Sequence, residues 1–501
     1  MNPSYWQLAG GETVYPALDR AAASGVTIIG GGLAGLTAAY CLASSGCEVT
    51  LLEAGRIAGG TSGRNTGKLT VQHDAVYSEI EKRYGPGAAR EYLKVNERAA
   101  AFVKRCAERA SSEPLLSEQP SYLYAESAKG SAKLQREYEV CRALGMDVKL
   151  HTSIPFPIQA VSALELRAQY QYDPYRYCAA LAALAVKSGA RIYEQTRVMK
   201  VKTGTVHRLT AENGAVVETG MLLFCSHYPF YHRGGRMVPR LKQERSYLIA
   251  GEYHKDYPGG MFINLERPVR SFRLHEADGK RILLVGGSGH RTGETDLAAY
   301  DELTGFAGRA FGLEAAPWRW SAQDCMTFDS VPFVGRWPGK RNILFATGFN
   351  KWGNTGATAA GMMLSDLVLR GKGPGLRLMS PGRVGDLAAA GFYQNAGTMT
   401  KDYIKGELTF PQSAFPKEPD TASVVTIRGK RCGCYRDPSG KLFAVELRCP
   451  HLGCILAFNP LQHSWDCPCH GSRFSADGRR IQGPAVRDLK RVRIEAGEDA
   501  K

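Results

Sequence analysis

The sequence lacks the features that would put it across a membrane or along a nucleic acid. No apolar run approaches the roughly 20 residues a bilayer-crossing helix needs. The N-terminus, Met1-Asn2-Pro3-Ser4-Tyr5-Trp6, has no basic segment followed by an apolar core, which argues against a secretory leader. There is no internal repeat and no low-complexity tract. The charge is unbalanced, with 64 Lys and Arg against 48 Asp and Glu, a net of +16. Yet no Lys/Arg run and no interleaved aromatic pattern marks a nucleic-acid surface. The excess reads as a generally basic surface, open to an acidic redox partner. Most of the 13 cysteines are scattered. That is not the disulfide framework of a small secreted domain, and it predicts a reducing, cytoplasmic setting.

What is present is concentrated in two stretches. The first reads Cys449-Pro-His451-Leu-Gly-Cys454, then twelve residues, then Cys467-Pro-Cys469-His470-Gly-Ser472-Arg-Phe474. Each half offers one Cys and one His at ligand spacing. Two thiolates on one iron and two imidazoles on the other hold a Rieske [2Fe–2S] centre. The other two cysteines, Cys454 and Cys469, are read as occupying equivalent places in the two loops, which suggests a disulfide between them. A Cys₂His₂ zinc site is the competing reading, but zinc needs neither the second cysteine pair nor the Gly and Pro of each loop. The stretch resembles the Rieske protein of the respiratory quinol–cytochrome c reductase. That resemblance implies Cys449, His451, Cys467 and His470 as ligands, Cys454–Cys469 as a bridge and Ser472 as a donor to a cluster sulfide. The family often has Tyr where this chain has Phe474, and a missing O–H donor lowers the potential.

The second stretch is residues 26–53. An apolar run, Val26–Ile29, leads into Gly30-Gly-Gly32-Leu-Ala-Gly35, a helix over Leu36–Ser44 and a strand ending at Glu53. This is GxGxxG between a strand and a helix, with an acid about 20 residues on. Gly30 makes the turn, Gly32 admits a pyrophosphate, Gly35 lets the helix close on the strand, and Glu53 takes ribose hydroxyls. The helix N-terminus offers its free N–H groups to the phosphates.

A further Gly/Ser/Thr-rich loop follows at once, from Gly59 to Lys68. Here the chain resembles the glycine oxidase, sarcosine oxidase and D-amino acid oxidase superfamily of flavoproteins. The resemblance implies FAD, with Arg56 at the adenosine end and Thr61, Ser62, Arg64, Asn65, Thr66 and Gly67 in the loop beneath the ribityl chain and ring. It also implies a backbone contact to adenine at Val198. Residues 75–168 read as mostly helical, with a 3.6-residue period over Ala88–Glu108. Asp173-Pro174 opens a helix that Gly189 closes. Glu212-Asn213-Gly214 turns a hairpin.

From Phe230 to Phe311 the chain looks like a substrate-facing sheet, with Arg273, His290 and Thr292 as cavity candidates. Arg270 and His275 lie on the strand of Arg273. Val285-Gly286-Gly-Ser-Gly289-His290-Arg-Thr-Gly293 could pass for a second dinucleotide loop, but it is GxGxxxG at best, and no second strand with a terminal acid follows. An NAD(P)H-linked reductase is therefore disfavoured. The third superfamily block, Trp320–Asp366, places Gly348, Gly353, Asn354 and Thr355 at a helix start facing the flavin pyrimidine. Where amino-acid oxidases of the superfamily carry an Arg-Pro that clamps the substrate carboxylate, this chain has Asp324-Cys325. An Asp there suits a cation or a hydroxyl and repels a carboxylate. Cys325 also resembles the cysteine that sarcosine oxidases bond to flavin, but the spacing differs. An ordinary buried thiol is the alternative there, as it is for Cys432 and Cys434.

The expected organisation is an N-terminal extension (1–23), an α/β FAD-dependent oxidoreductase domain (24–395), a proline-stiffened linker (396–420) and a small all-β Rieske domain (421–501). Within the oxidoreductase domain, FAD-binding parts fall at about 24–80, 170–230 and 320–370, and substrate or cap parts at 81–169 and 231–319. The arrangement resembles bacterial FAD-dependent oxidoreductases with a C-terminal Rieske domain. It implies hydride transfer from a small substrate, an amine first, to FAD. Single electrons then pass through the cluster to an external carrier. Reverse flow, or a non-catalytic redox sensor, uses the same parts. No catalytic base is named by the sequence.

Overall fold

The computed structural model describes residues 2–11, 14–110, 115–231, 237–294, 297–389, 391–395, 397–399, 401 and 414–494. Most of the expected linker, including 402–413, lies outside the described residues.

The apolar run before the glycine loop becomes the end of the strand Ala22–Ile29. It pairs in parallel with Val49–Leu52 on one side and Val216–Phe224 on the other. Such strands are buried on both faces, which is why they read as continuous apolar runs. The full path of this sheet is Phe333–Arg336, Ile343–Thr347, Val216–Phe224, Ala22–Ile29, Val49–Leu52, Arg191–Tyr193, with the expected hairpin added at its flank. The helix Leu33–Ala43 covers one face and packs on the helix Gly353–Arg370. A Cβ on Gly361 would stand 2.6 Å from the Ala34 carbonyl, so only glycine permits that approach. The helix Pro174–Lys187 starts as its sequence predicts, with Asp173 accepting from the amides of Tyr175 and Arg176.

The second sheet has nine strands in the order Trp318–Met326, Lys242–Glu252, Lys280–Arg291, Arg270–Ala277, Met261–Asn264, Leu116–Ala125, Ser162–Tyr172, Lys68–Leu69, with Val148–His151 beside Ser162–Tyr172. The reading of 75–168 as mostly helical is therefore incomplete. The helices Val76–Tyr84, Pro86–Ala110 and Ala128–Ala143 are there, but three strands lie among them and after them. Leu116–Ala125 earns its place by pairing with Met261–Asn264, a partner far along the chain that local periodicity cannot reveal.

The first residues are not a loose extension. Ser4 caps a short helix, Tyr5–Ala9, and Trp6 is fully buried. Ser4 Oγ donates to the Gly63 carbonyl (2.6 Å), Trp6 Nε1 to that of Asn65 (2.8 Å) and Gln7 Nε2 to that of Gly59 (3.2 Å). The N-terminus thus splints the glycine-rich loop that the resemblance places under the flavin.

The C-terminal region is all β, with a three-stranded sheet (Thr421–Ile427, Lys430–Arg436, Leu442–Glu446) and a four-stranded one (Ala457–Asn459, Ser464–Asp466, Arg473–Ser475, Arg480–Gln482). Cys432 and Cys434 are buried strand residues, as expected. This region docks on the nine-stranded sheet through polar contacts. Asp466 is buried between Arg245 and Arg473, each at 3.1 Å. Gln462 accepts from Ser321 Oγ and donates to the Tyr300 hydroxyl, both at 2.9 Å. A buried carboxylate shared by two guanidiniums adds orientation more than stability, since both charges pay for desolvation.

Candidate functional site

The two cysteine–histidine loops share one backbone frame. The Cys449 amide donates to the Cys454 carbonyl (2.9 Å), and the Gly453 amide returns to Cys449 (3.0 Å). The Cys467 amide donates to the Ser472 carbonyl (2.8 Å), and the Gly471 amide returns to Cys467 (3.0 Å). Gly453 and Gly471 both hold positive φ, at 84° and 75°. This is the physical reason for a Gly in each loop. The frame aligns Cys454 with Ser472 and Cys469 with His451, so the two extra cysteines do not occupy equivalent places. They are nonetheless joined in a disulfide, with Cα atoms 6.7 Å apart. Their sulfurs lie within 4.8 Å of that of Cys467. Cys449 and Cys467 are buried side by side, and the imidazoles of His451 and His470 meet edge to face at 4.9 Å. Ser472 is fully buried between the loops, within hydrogen-bond reach of the Cys449 sulfur, and its Oγ also accepts from the Ala485 amide.

The glycine loop opens into a cleft of about 550 Å³, within the range of cofactor sites. Its glycines are there because side chains would not fit. A Cβ on Gly30 would meet the Cys225 carbonyl at 2.4 Å, and one on Gly35 the Gly30 carbonyl at 1.9 Å. Glu53 sits at the end of its strand and accepts from the amides of Gly31 (2.7 Å) and Gly55 (2.8 Å). Of the sequence-predicted cofactor residues, Gly30, Gly32, Glu53, Arg56, Thr61, Ser62, Arg64, Asn65, Thr66, Val198, Gly353, Asn354 and Thr355 line the cleft. Gly35, Gly67 and Gly348 do not; they shape it. Gly67 and Gly348 turn the chain at positive φ, and Gly35 admits the helix. Arg64 spends its guanidinium on the carbonyls of Ser321 and Asn2 and on Gln7, so it fastens the loop. Arg56 is paired with the buried Glu194 at 2.8 Å.

The cavity candidates divide. Asp324 lines the cleft. Burial lifts its carboxyl to about 6 against the pull of Lys351, with Glu244 adding to the rise. Arg273 does not reach the cleft. It is wholly buried and holds the Thr66 and Tyr172 carbonyls together, with Trp6 across its face. His290 and Thr292 also lie behind the wall. His290 bonds Tyr247, and Thr292 donates to Gln323 at 3.1 Å. The strand Lys280–Arg291 runs on past the glycines of the apparent second loop, which packs against the cluster region instead of opening a nucleotide site. Gly293 lies so close to Pro468 that a Cβ would stand 2.5 Å from it, and Arg291 donates to the Pro468 carbonyl at 3.0 Å. Cys325 lines the cleft as a thiol that burial raises to about 11, with Thr347 bonded to its sulfur.

Sequence reading missed the residues that join the two sites. Gln323 takes a bond from Thr61 on its carbonyl (2.8 Å), and its side chain donates to the Gly471 carbonyl (2.9 Å). Tyr228 lines the cleft and turns its ring toward that of His470, 6.2 Å away. Lys351 lines the cleft beside Asp324, its Nζ 3.1 Å from Glu244. No local motif could have flagged these residues, because each acquires its role from a neighbour far along the chain.

The sequence profile of FAD dependent oxidoreductases matches residues 25–367. The chain belongs to the FAD-dependent oxidoreductase family. The profile of the Rieske [2Fe–2S] domain matches residues 410–493. A Bacillus subtilis protein, YhfW, named for a Rieske 2Fe-2S centre, is 34% identical over 505 residues, 98% of each chain. The cytochrome b6-f complex iron-sulfur subunit 2 of Trichormus variabilis is 43% identical over 105 residues, 21% of this chain and 59% of that one. The glycine oxidase of Geobacillus kaustophilus shares the fold (TM-score 0.61, 20% identity, 72% of this chain and 99% of that one). No helix among the described residues is long and apolar enough to cross a membrane.

This FAD-dependent oxidoreductase therefore carries FAD and one [2Fe–2S] cluster, and the residues present fit both. Asn354 Oδ1, Arg197 Nε and Arg480 Nε are buried at the cleft without partners among the described residues, where a polar dinucleotide would satisfy them. The start of the helix Gly353–Arg370 faces the cleft without a side-chain cap, leaving its amides for a developing negative charge. The paired loops offer two thiols and two imidazoles at one buried point, the donor set a Rieske centre requires.

Proposed function

We propose that this oxidoreductase is a dehydrogenase for a small amine, passing the electrons singly through the cluster to an external acceptor. Bound FAD supplies a two-electron acceptor and the Rieske cluster a one-electron relay. The observation that carries the reading is the shared wall: Tyr228 faces the cleft on one side and His470 on the other. Gln323, Arg291 and Gly293 hold the loop Cys467–Gly471 against that wall. In this reading Cys449, Cys467, His451 and His470 hold the cluster, and Gly30, Gly32, Glu53, Asn65, Asn354 and their neighbours hold FAD.

Asp324 orients the substrate. Above pH 6 its carboxylate attracts an ammonium group and can take a proton from it, which leaves the neutral amine that hydride loss requires. Lys351 pairs with Glu244, whose carboxyl stays at about 2 because Lys351 and Lys242 outweigh its burial. The cation next to Asp324 is thus already committed, and Asp324 is left to the ligand. An excess of base in the cluster region, fourteen Lys and Arg against eight Asp and Glu from Thr421 to Lys501, suits an acidic one-electron partner.

The test is anaerobic mixing of the holoprotein with amines, alcohols and NAD(P)H in turn, following flavin absorbance and the reduced-cluster EPR signal together. Flavin bleaching by an amine, followed by growth of the cluster signal, is expected. Reduction by NAD(P)H alone would make the protein a reductase. Reduction by dithionite alone would favour electron flow from a carrier inward.

A further inference from the structure

The cluster region does more than dock beside the nucleotide cleft; it builds one edge of it. Arg480 to Pro484 line the cleft together with Thr196–Val198 and Glu53. Arg480 opens the last strand of the four-stranded sheet, and its backbone amide is fixed by Asp488 at 2.8 Å. One guanidinium nitrogen, Nη1, donates to the Ala485 carbonyl (3.2 Å), while Nε is buried with no partner among the described residues. Beside it, from the nucleotide fold, Arg197 repeats the pattern. Its Nη1 faces Glu212 (3.6 Å) and, from the cluster region, Asp488 (4.0 Å), and its Nε is also buried and unpartnered among the described residues. Glu53 lies within Coulombic reach of Arg480 but already accepts from two backbone amides.

Two buried guanidinium donors without acceptors are costly unless a ligand completes them. They converge beside the glycine loop and the strand-end carboxylate, where a dinucleotide presents its phosphate and ribose oxygens. We infer that Arg480, with Arg197 beside it, binds the adenosine diphosphate half of FAD, so that groups from both domains hold the cofactor. The inference rests on the FAD reading of the cleft and goes beyond it. No bond is made or broken. The consequence is linkage: FAD binding favours the docked cluster domain, and docking favours FAD.

The experiment uses the full-length protein stripped of flavin, with the cluster retained. Arg480→Gln should weaken FAD binding, read by flavin fluorescence quenching, about 10- to 100-fold. The cluster EPR signal should be unchanged, and Arg480→Lys should recover part of the loss. ADP, used as the probe, should compete with FAD in the parent protein and lose affinity in parallel in Arg480→Gln. An FAD affinity within twofold of the parent, in a variant that keeps its cluster, overturns the inference. If Arg480→Gln loses its cluster, the parent protein decides: ADP should slow amide hydrogen exchange over Ile481–Val486, and no slowing overturns it. A parent protein that takes up no flavin would instead overturn the FAD reading itself.

Discussion

The two cofactor sites are built in opposite ways. The cluster pocket is local. All four proposed ligands and both bridging cysteines fall within 449–470, on two loops that repeat one hydrogen-bond frame. The nucleotide cleft is assembled. Its wall draws on the glycine loop, the strand after it, Thr196–Val198, Cys225–Tyr228, Ser321–Cys325, a helix start at Gly353 and the cluster region itself, with the N-terminal helix as a splint behind. A local site stands or falls with a few side chains. An assembled one depends on packing at positions that never touch the ligand.

The sharpest way to break the comparison is to remove one ligand. Cys467→Ser should abolish the cluster EPR signal outright while flavin content holds, since the oxygen of Ser is a poor replacement for a thiolate on iron. Loss of flavin as well would show that docking of the cluster region, which lines one edge of the cleft, depends on the cluster. Damage from a distance comes next. Trp6→Ala removes a fully buried indole and its bond to the Asn65 carbonyl, and should cost about 3–5 kcal/mol. Gly35→Ala, whose Cβ would stand 1.9 Å from the Gly30 carbonyl, should cost about 3 kcal/mol. Both should appear as a lower melting temperature and flavin loss ahead of cluster loss.

A smaller effect is expected within the cleft. Asp324→Asn should lower kcat/KM for an amine roughly 10- to 100-fold, the worth of a charged hydrogen bond of about 1.5–3 kcal/mol. In the parent protein the Asp324 carboxyl, raised by burial to about 6, is charged above that pH and neutral below it. The rate of flavin reduction should therefore fall as pH drops through 6, and Asp324→Asn should flatten that limb of the profile. An unchanged limb would assign it to another group. The smallest effect tests the cluster's tuning. Phe474 is fully buried beside Trp465, where the resembling family often has Tyr. Phe474→Tyr should raise the midpoint potential by roughly 40 mV, if the new donor favours the reduced cluster by about 1 kcal/mol.

Legibility follows the same division. The cysteine–histidine box could be read as a pocket because its chemistry and its backbone frame sit in one short segment. The one misreading there, the supposed equivalence of Cys454 and Cys469, arose because loop position is set by hydrogen bonds and not by order along the box. The glycine loop and Glu53 were legible for the same reason. Arg273 and His290 read as cavity groups because charge on a strand does not say which face it will meet. In the fold, Arg273 clamps two carbonyls behind the loop, and His290 bonds Tyr247 behind the wall.

Sequence alone determined the two cofactor classes, the Gly turns and the strand–helix order around them, because short-range sterics and ligand spacing act over a few residues. Only the tertiary structure decided that the N-terminus splints the flavin loop. It also decided that 75–168 contributes strands, that Tyr228 and Gln323 form a wall common to both sites, and that Arg480 reaches into the nucleotide cleft. Each of those is a contact between segments far apart in the chain. Such contacts are set by burial and by pairing of polar groups in the assembled core, not by the preferences of the residues themselves.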